Sequence, residues 1–380
     1  MIIKRELEEA IRQRLFKGKA IIIYGPRQSG KTTLVEQLTR DYSGTTLFLS
    51  GDDSDVRDLL SKAASTRLQA FFGPKRLVVI DEAQRIPGIG LTMKLITDQI
   101  KDVQLIATGS SAFELADKTS EPLTGRKYEF HLYPLSFGEM AAESNLLEER
   151  RLLKHRLVFG MYPEIVTHPG EEQELLRLLA GSYLYKDLLM LEDIKKPALL
   201  EKIIRALALQ LGSEVSYSEI SQLVGADNKT VEKYIDLLEK AYVVFVLPAF
   251  SGNERNEIRK GRKIYFYDNG IRNAVVNNFS QVESRADTGA LWENYLITER
   301  LKYLSNHSKF SRRYFWRTRT QQEIDYLEEA DGRLRAWEFK WNTSNKLRIP
   351  KSFSAAYPEA KMSLITPDNY DELLLPEMQS

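Results

Sequence analysis

The chain has 380 residues, 43% hydrophobic and 28% charged, with a formal net charge of +1; this excludes a disordered or collagen-like polypeptide and predicts about two or three globular domains. A near-neutral total favours neither nucleic acid nor an acidic surface, so any such partner must be read from local patches. There is no cysteine, which excludes disulfides, thiolate zinc sites and cysteine nucleophiles, and fits a reducing compartment.

Residues 3 to 16 carry helical periodicity in Ile3, Leu7, Ile11 and Leu15, with charges between them that no secretory signal would have. A turn at Lys17-Gly18-Lys19 leads into the apolar run AIIIY, and further runs follow at 45–50, 76–81 and 104–110, separated by helical patterns such as Lys31 to Tyr42 and Leu91 to Ile100. Strand and helix alternating in this way predict a parallel sheet covered on both faces. No run approaches the roughly 20 apolar residues that span a bilayer, so a cytoplasmic protein without a membrane segment is expected. The four histidines, His131, His155, His168 and His307, have no pair at metal-ligand spacing.

From about Leu135 the sequence turns helix-rich, and residues 198–250 then read as helix, turn at 224–228, helix and an apolar strand pair, the order of a winged helix-turn-helix. Its second helix offers Lys229, Lys233 and Lys240 to a DNA groove, but also Glu232, Asp236 and Glu239; packing alone is the competing role. Beyond a hydrophilic stretch, a helix near 288–304 and strands near 313–318, 323–328 and 333–341 predict an α/β tail. The expected division is a nucleotide-binding core over 1–138, a helical lid over 139–205, the winged helix over 206–250 and the tail over 251–380.

Gly25-Pro26-Arg27-Gln28-Ser29-Gly30-Lys31-Thr32, followed by Thr33, fits the phosphate-binding loop G-x-x-x-x-G-K-[ST] between a strand and a helix. Backbone amides there can wrap phosphates at a helix N-terminus, Lys31 can reach the outer phosphates, and Thr32 can ligate magnesium. The run LVVIDE supplies Asp81 for the magnesium and Glu82 to orient or deprotonate the attacking water. Thr108, Ser110 and Ser111 end the next strand; Ser110 is the choice for sensing the γ-phosphate, with helix capping as the alternative. Arg126 could act as a finger towards a neighbouring subunit's nucleotide, the alternative being a surface arginine.

In the tail, Glu293 lies on the predicted helix, Asp325 on one strand, and Glu338 and Lys340 on one face of the next. If the two strands are neighbours, Asp325 and Glu338 form a hard-oxygen magnesium site and Lys340 can orient a nucleophilic water; a cross-strand salt-bridge ladder is the alternative. The basic, aromatic segment Lys309 to Arg319 and the patch RNEIRKGRK could track phosphates, or be solvated charged faces.

The motifs GPRQSGKTTL, LVVIDEAQRIP, TGSSAFEL, LTGRKYEFHLYPLSFGEM and GMYPEIV resemble AAA+ ATPases found as uncharacterised ATP-binding proteins of bacteria and archaea. YDNGIRNAV, GALWENYLITERL, EIDYL and AWEFKWN extend the resemblance, over nearly the whole chain, to the domain of unknown function numbered 4143 that usually follows this ATPase, whose members resemble PD-(D/E)XK nucleases. The resemblance implies an AAA+ fold, ATP hydrolysis and oligomers that share sites, and it leaves the biological role open. Two functions follow as expectations: an ATPase whose nucleotide state controls DNA binding or processing, and a nucleotide-switched signalling or scaffold protein with a silent tail.

Overall fold

The structure, a computed structural model, describes residues 2–61, 64–109, 123–191, 196–251, 261–318 and 320–376, the side chains of 182–191 excepted. The four apolar runs of the first module become strands β1 (Ala20–Tyr24), β2 (Thr46–Ser50), β3 (Leu77–Asp81) and β4 (Gln104–Gly109), and the more polar segment KYEFH adds β5 (Lys127–His131). They form one all-parallel sheet in the order β2-β3-β4-β1-β5. Ile21, Ile23, Val79 and Ile106 pack into one layer with Leu7, Ile11 and Leu15 of the N-terminal segment and Leu34, Val35 and Leu38 of the helix Lys31–Thr39. Ile22, Val78, Ile80 and Leu105 pack into the other, with Leu68, Phe72, Met93 and Ile96. Both faces are covered, which is why these strands read as unbroken apolar runs. The N-terminal helix is regular only over Leu7–Arg12 and then loosens into turns, although Leu15 stays buried.

Short helices follow from Phe137 onwards, then the helices Glu172–Leu191 and Pro197–Leu209. Strand β6 (Glu214–Val215) leads into the helices Tyr217–Val224 and Asn228–Lys240, joined by Gly225 at φ 71 and capped by Asp227, which accepts from the Thr230 amide at 2.9 Å. Strands β7 (Val244–Pro248) and β8 (Arg262–Phe266) complete an antiparallel sheet in the order β6-β8-β7. The middle module therefore runs past residue 250: β8, placed in the tail by the sequence pattern, closes onto β7. Val231, Tyr234, Ile235 and Leu238 are buried, leaving Lys229, Glu232, Lys233 and Asp236 exposed on the second helix.

The segments GMYPEIV and YDNGIRNAV meet in space. Asp268 accepts from the Met161 amide at 2.7 Å, and Asn273 donates to the carbonyls of Leu157 and Val158 at 3.1 and 2.8 Å. The tail is a four-stranded sheet ordered β12-β11-β10-β9, from β9 (Arg312–Arg317), β10 (Glu323–Ala330), β11 (Arg333–Phe339) and β12 (Lys361–Ile365), the last parallel to β11. The helix Thr288–Asn306 is buried along almost its whole length, so its polar side chains need partners. Asn294 bonds both the amide and the carbonyl of Phe266 at 2.8 and 3.0 Å, Glu299 accepts from the Phe137 amide at 2.7 Å, and Lys302 donates to the Leu135 carbonyl at 2.9 Å. Among the described residues no helix is long and apolar enough to cross a membrane.

Asp287, at the start of that helix, carries an acid-sensitive lock. Burial alone would raise its carboxyl, but hydrogen bonds from Arg285 at 2.8 and 2.9 Å and from Arg272 at 2.5 Å hold it at about 2. The folded value lies below the unfolded one, so this stabilisation is fully present above about pH 4 and is lost as pH falls towards 2. Asp287→Asn is expected to be less stable than the wild type in urea melts at pH 7, with the gap narrowing at pH 3. A gap independent of pH would remove the lock.

Candidate functional site

Strand β1 delivers the chain to the carboxyl edge of the sheet, where ligands of parallel α/β folds bind. Gly25 passes so close to β5 that a Cβ there would lie 2.1 Å from the Leu132 carbonyl oxygen, and Gly30 takes φ 92 to start the helix Lys31–Thr39. Only glycine meets both demands without strain. The loop between them sets backbone amides and a helix N-terminus around one point, which favours phosphate. Lys31 is 5% exposed, and its ammonium donates to the carbonyls of Gly25 and Pro26 at 2.9 and 2.8 Å, spanning the mouth of the loop. The Ser29 hydroxyl is fully buried inside the loop without a hydrogen-bond partner among the described residues.

The carboxylate of Asp81 faces this loop from the end of β3. Thr32 Oγ1 donates to Asp81 Oδ2 at 2.9 Å, and Thr108 Oγ1 donates to the other oxygen. Thr108, wholly buried at the end of β4, also accepts from the Glu82 amide at 3.3 Å. Glu82 has a left-handed backbone at φ 48, and its carbonyl lies where a Cβ on residue 51 would come within 2.3 Å, hence Gly51. Gln84 holds the Glu82 carboxylate through its side-chain amide. A threonine hydroxyl converging on a carboxylate beside a phosphate-binding loop is a hard-oxygen pair suited to magnesium; these residues fit the ion the sequence implies.

Strand alternation brings the four tail residues together. Tyr326 pairs with Trp337 in β10–β11, so Asp325 and Glu338 stand opposite each other. Lys340 Nζ lies 2.5 Å from Glu338 and 4.0 Å from Asp325. Asp325 Oδ2 accepts from the Phe339 amide at 2.7 Å, and burial, then the facing carboxylates of Glu293 and Glu338, push its carboxyl well above the ordinary range. Lys263 sits between Glu293 and Glu323 at 2.9 and 2.5 Å, and Tyr265 donates to Glu293. Among the described residues no group of three or more carboxylates and histidines is arranged to hold a metal, so Glu293, Asp325 and Glu338 cluster without forming a ready three-ligand site.

Residues 17–141 match the family model described as AAA domain. They form an AAA domain. Residues 150–282 match a domain of unknown function (DUF8612) and residues 288–373 another (DUF4143). An uncharacterised protein of Mycobacterium tuberculosis is 24% identical over 379 residues, covering 97% of this chain and 81% of its own. An uncharacterised protein of Haemophilus influenzae is 26% identical, covering 92% and 90%. The replication factor C large subunit of Methanosarcina acetivorans is 33% identical over 86 residues, 22% of this chain and 14% of that protein. Among solved structures, the Thermotoga maritima RuvB Holliday junction branch migration motor is similar at 14% identity and a TM-score of 0.31, covering 64% of this chain and 89% of that one.

Around the AAA domain's site, Ser110 lies outside the described residues, as do Ser111 and most of the patch RNEIRKGRK. Arg126 opens β5 at the opposite end of the sheet from the phosphate-binding loop; its carbonyl accepts from Ala20 at 2.9 Å, and its guanidinium pairs with Asp98 at 2.6 Å. The length of β1, about 3.3 Å per residue, separates it from the loop of its own chain. Thr108, which the sequence groups with Ser110 and Ser111, is a second hydroxyl on Asp81 beside Thr32. One contributor has no signal in the sequence. Arg5, 6% exposed, donates to the Ser29 carbonyl at 2.7 Å, to the Tyr133 carbonyl at 2.6 Å and to Glu139 at 2.9 Å, bracing the back of the loop from the N-terminal segment. No local motif marks an arginine whose partners lie up to 134 residues away.

Proposed function

We propose that the chain hydrolyses ATP with magnesium in its AAA domain and couples nucleotide state to DNA engagement by the middle and tail modules. Residues 25–33 would hold the phosphates, with Lys31 on the outer ones. Thr32 and Asp81 would hold the ion, Thr108 would keep Asp81 oriented, and Glu82 would take the proton of the attacking water. Magnesium, when bound, would neutralise charge developing on the transferred phosphoryl group. The observation that carries the coupling is Arg5, which bonds the loop at Ser29 and Glu139 at once. Glu139 caps the segment whose Phe137 amide is held by Glu299, on the same buried helix as Glu293, and the adjacent Glu6 meets Asn306 at 2.7 Å. A change at the phosphates therefore has a contiguous polar route to the tail. A segment of the chain is similar to a replication factor C large subunit, and a role in replication would accord with this reading.

Titrating the protein against labelled duplex and single-stranded DNA is expected to give salt-sensitive binding that changes about fivefold or more between ATP and no nucleotide. No salt-sensitive binding in any nucleotide state would sink the reading. One observation favours a second reading, a nucleotide-switched scaffold with a silent tail: Lys340 is already ion-paired with Glu338, and Lys263 with Glu293 and Glu323. A tail acting as a PD-(D/E)XK nuclease, with Asp325 and Glu338 as its magnesium ligands and Lys340 orienting the water, would nick plasmid in magnesium or manganese and lose this in Asp325→Ala. Nicking that is absent, or unchanged in that variant, selects the silent tail.

A further inference from the structure

A cleft of about 800 Å³ opens between the AAA domain and the tail. One wall is Arg14 with Tyr128 and Phe130 of β5; the other is the segment Lys309 to Arg313 that enters β9. The Arg14 guanidinium carbon lies over both aromatic rings, 5.7 Å from each centroid. Across from it Phe310 is 91% exposed, more than any other large apolar side chain among the described residues. Such exposure costs hydration free energy and contributes nothing to the core. The adjacent Ser311 hydroxyl oxygen is buried and has no hydrogen-bond partner among the described residues.

Lys309 lines this cleft and also a second, of about 280 Å³, whose walls include Tyr303, Trp337, Arg335 and Lys361. Arg335 and Lys361 are register partners in the β11–β12 ladder, with Glu328 opposite Arg335 on its other side in β10; the pair places two cations side by side. The two clefts together are lined by seven arginines and lysines against four carboxylates; Arg300 among the cations is paired with Glu328 at 2.7 Å, and Glu129 among the carboxylates with Lys127 at 2.6 Å. Cations that follow a groove, interleaved with aromatic faces, form the general arrangement that holds unpaired nucleotides: the cations track phosphates and the rings stack bases. A volume of this order, comparable with a single-ligand pocket, admits a few unpaired bases and not a duplex.

We infer that these two clefts, which share Lys309 as a lining residue, form a binding track for single-stranded nucleic acid, with Phe310 as its stacking platform and Lys309 between them. The inference rests on the reading of the chain as a DNA-engaging protein and specifies the strand form and the surface. The probes are fluorescein-labelled oligothymidylate and oligouridylate of about 20 nucleotides and a duplex of the same length, followed by anisotropy with full-length protein. The wild type is expected to bind the single strands, and Phe310→Ala to bind them about tenfold more weakly with an unchanged thermal unfolding curve. Lys361→Gln is expected to flatten the dependence of log affinity on log salt by about 0.7. Preference between the two oligomers names the natural strand, and either preference supports the track. Single-strand affinity unchanged in Phe310→Ala, or duplex bound while neither single strand is, overturns the track and leaves the proposed function standing. Absence of binding to all three probes in every nucleotide state overturns both.

Discussion

Lys31→Ala is expected to weaken nucleotide binding by about a hundredfold or more, followed by titration with a fluorescent ATP analogue. Its ammonium spans the loop mouth with two charge-assisted bonds at 2.9 and 2.8 Å. A bound phosphate would compete for the same donor, and bonds of this kind contribute about 1.5–3 kcal/mol each. Glu82→Gln separates binding from chemistry: it keeps nucleotide affinity and lowers phosphate release about 10²- to 10⁴-fold, the range of a lost general base. Wild-type binding by Lys31→Ala would move the nucleotide away from this loop. Wild-type turnover in Glu82→Gln would take Glu82 out of the reaction.

The second large effect is expected at Arg5. Its partner Glu139 is fully buried in its side chain, and stranding a buried charge costs about 3–5 kcal/mol, so Arg5→Ala should lose that much in urea unfolding. It should also weaken ATP, because the Ser29 carbonyl loses its donor and the loop its brace. Combining Arg5→Ala with Glu139→Gln removes the stranded charge. Stability should then recover in part while nucleotide affinity does not, which a purely structural arginine would not produce. Arg5→Lys should rescue little, since an ammonium cannot reproduce the planar fork that reaches three partners. Recovery of affinity together with stability would return Arg5 to a structural role.

The nucleotide site was legible because its chemistry is written in contiguous residues. A glycine-bounded loop followed by lysine and threonine, and an apolar strand ending in Asp81 and Glu82, each carry their own geometry once a parallel sheet is granted. The sheet itself was legible from strands too uniformly apolar to face water. The strand β12 was not, since KMSLI is short and half-exposed and takes its place from β11. Strand β8 was assigned to the tail because a hydrophilic stretch precedes it; its pairing with β7 is a long-range choice that composition does not reveal.

The sequence by itself determined the phosphate-binding loop, its acidic partner, the α/β class and the residues of the tail cluster, because local periodicity and fixed spacing govern those features. Only the tertiary structure decided that Thr108 meets Asp81, that Arg5 ties the loop to the segment holding the tail helix, that Arg126 stands at the far end of the sheet, and that Lys340 and Lys263 already occupy the tail carboxylates. Each of these is a contact between residues far apart in the chain. Such contacts follow from how the layers close over one another and from the need of every buried charge for a partner, which no local pattern encodes.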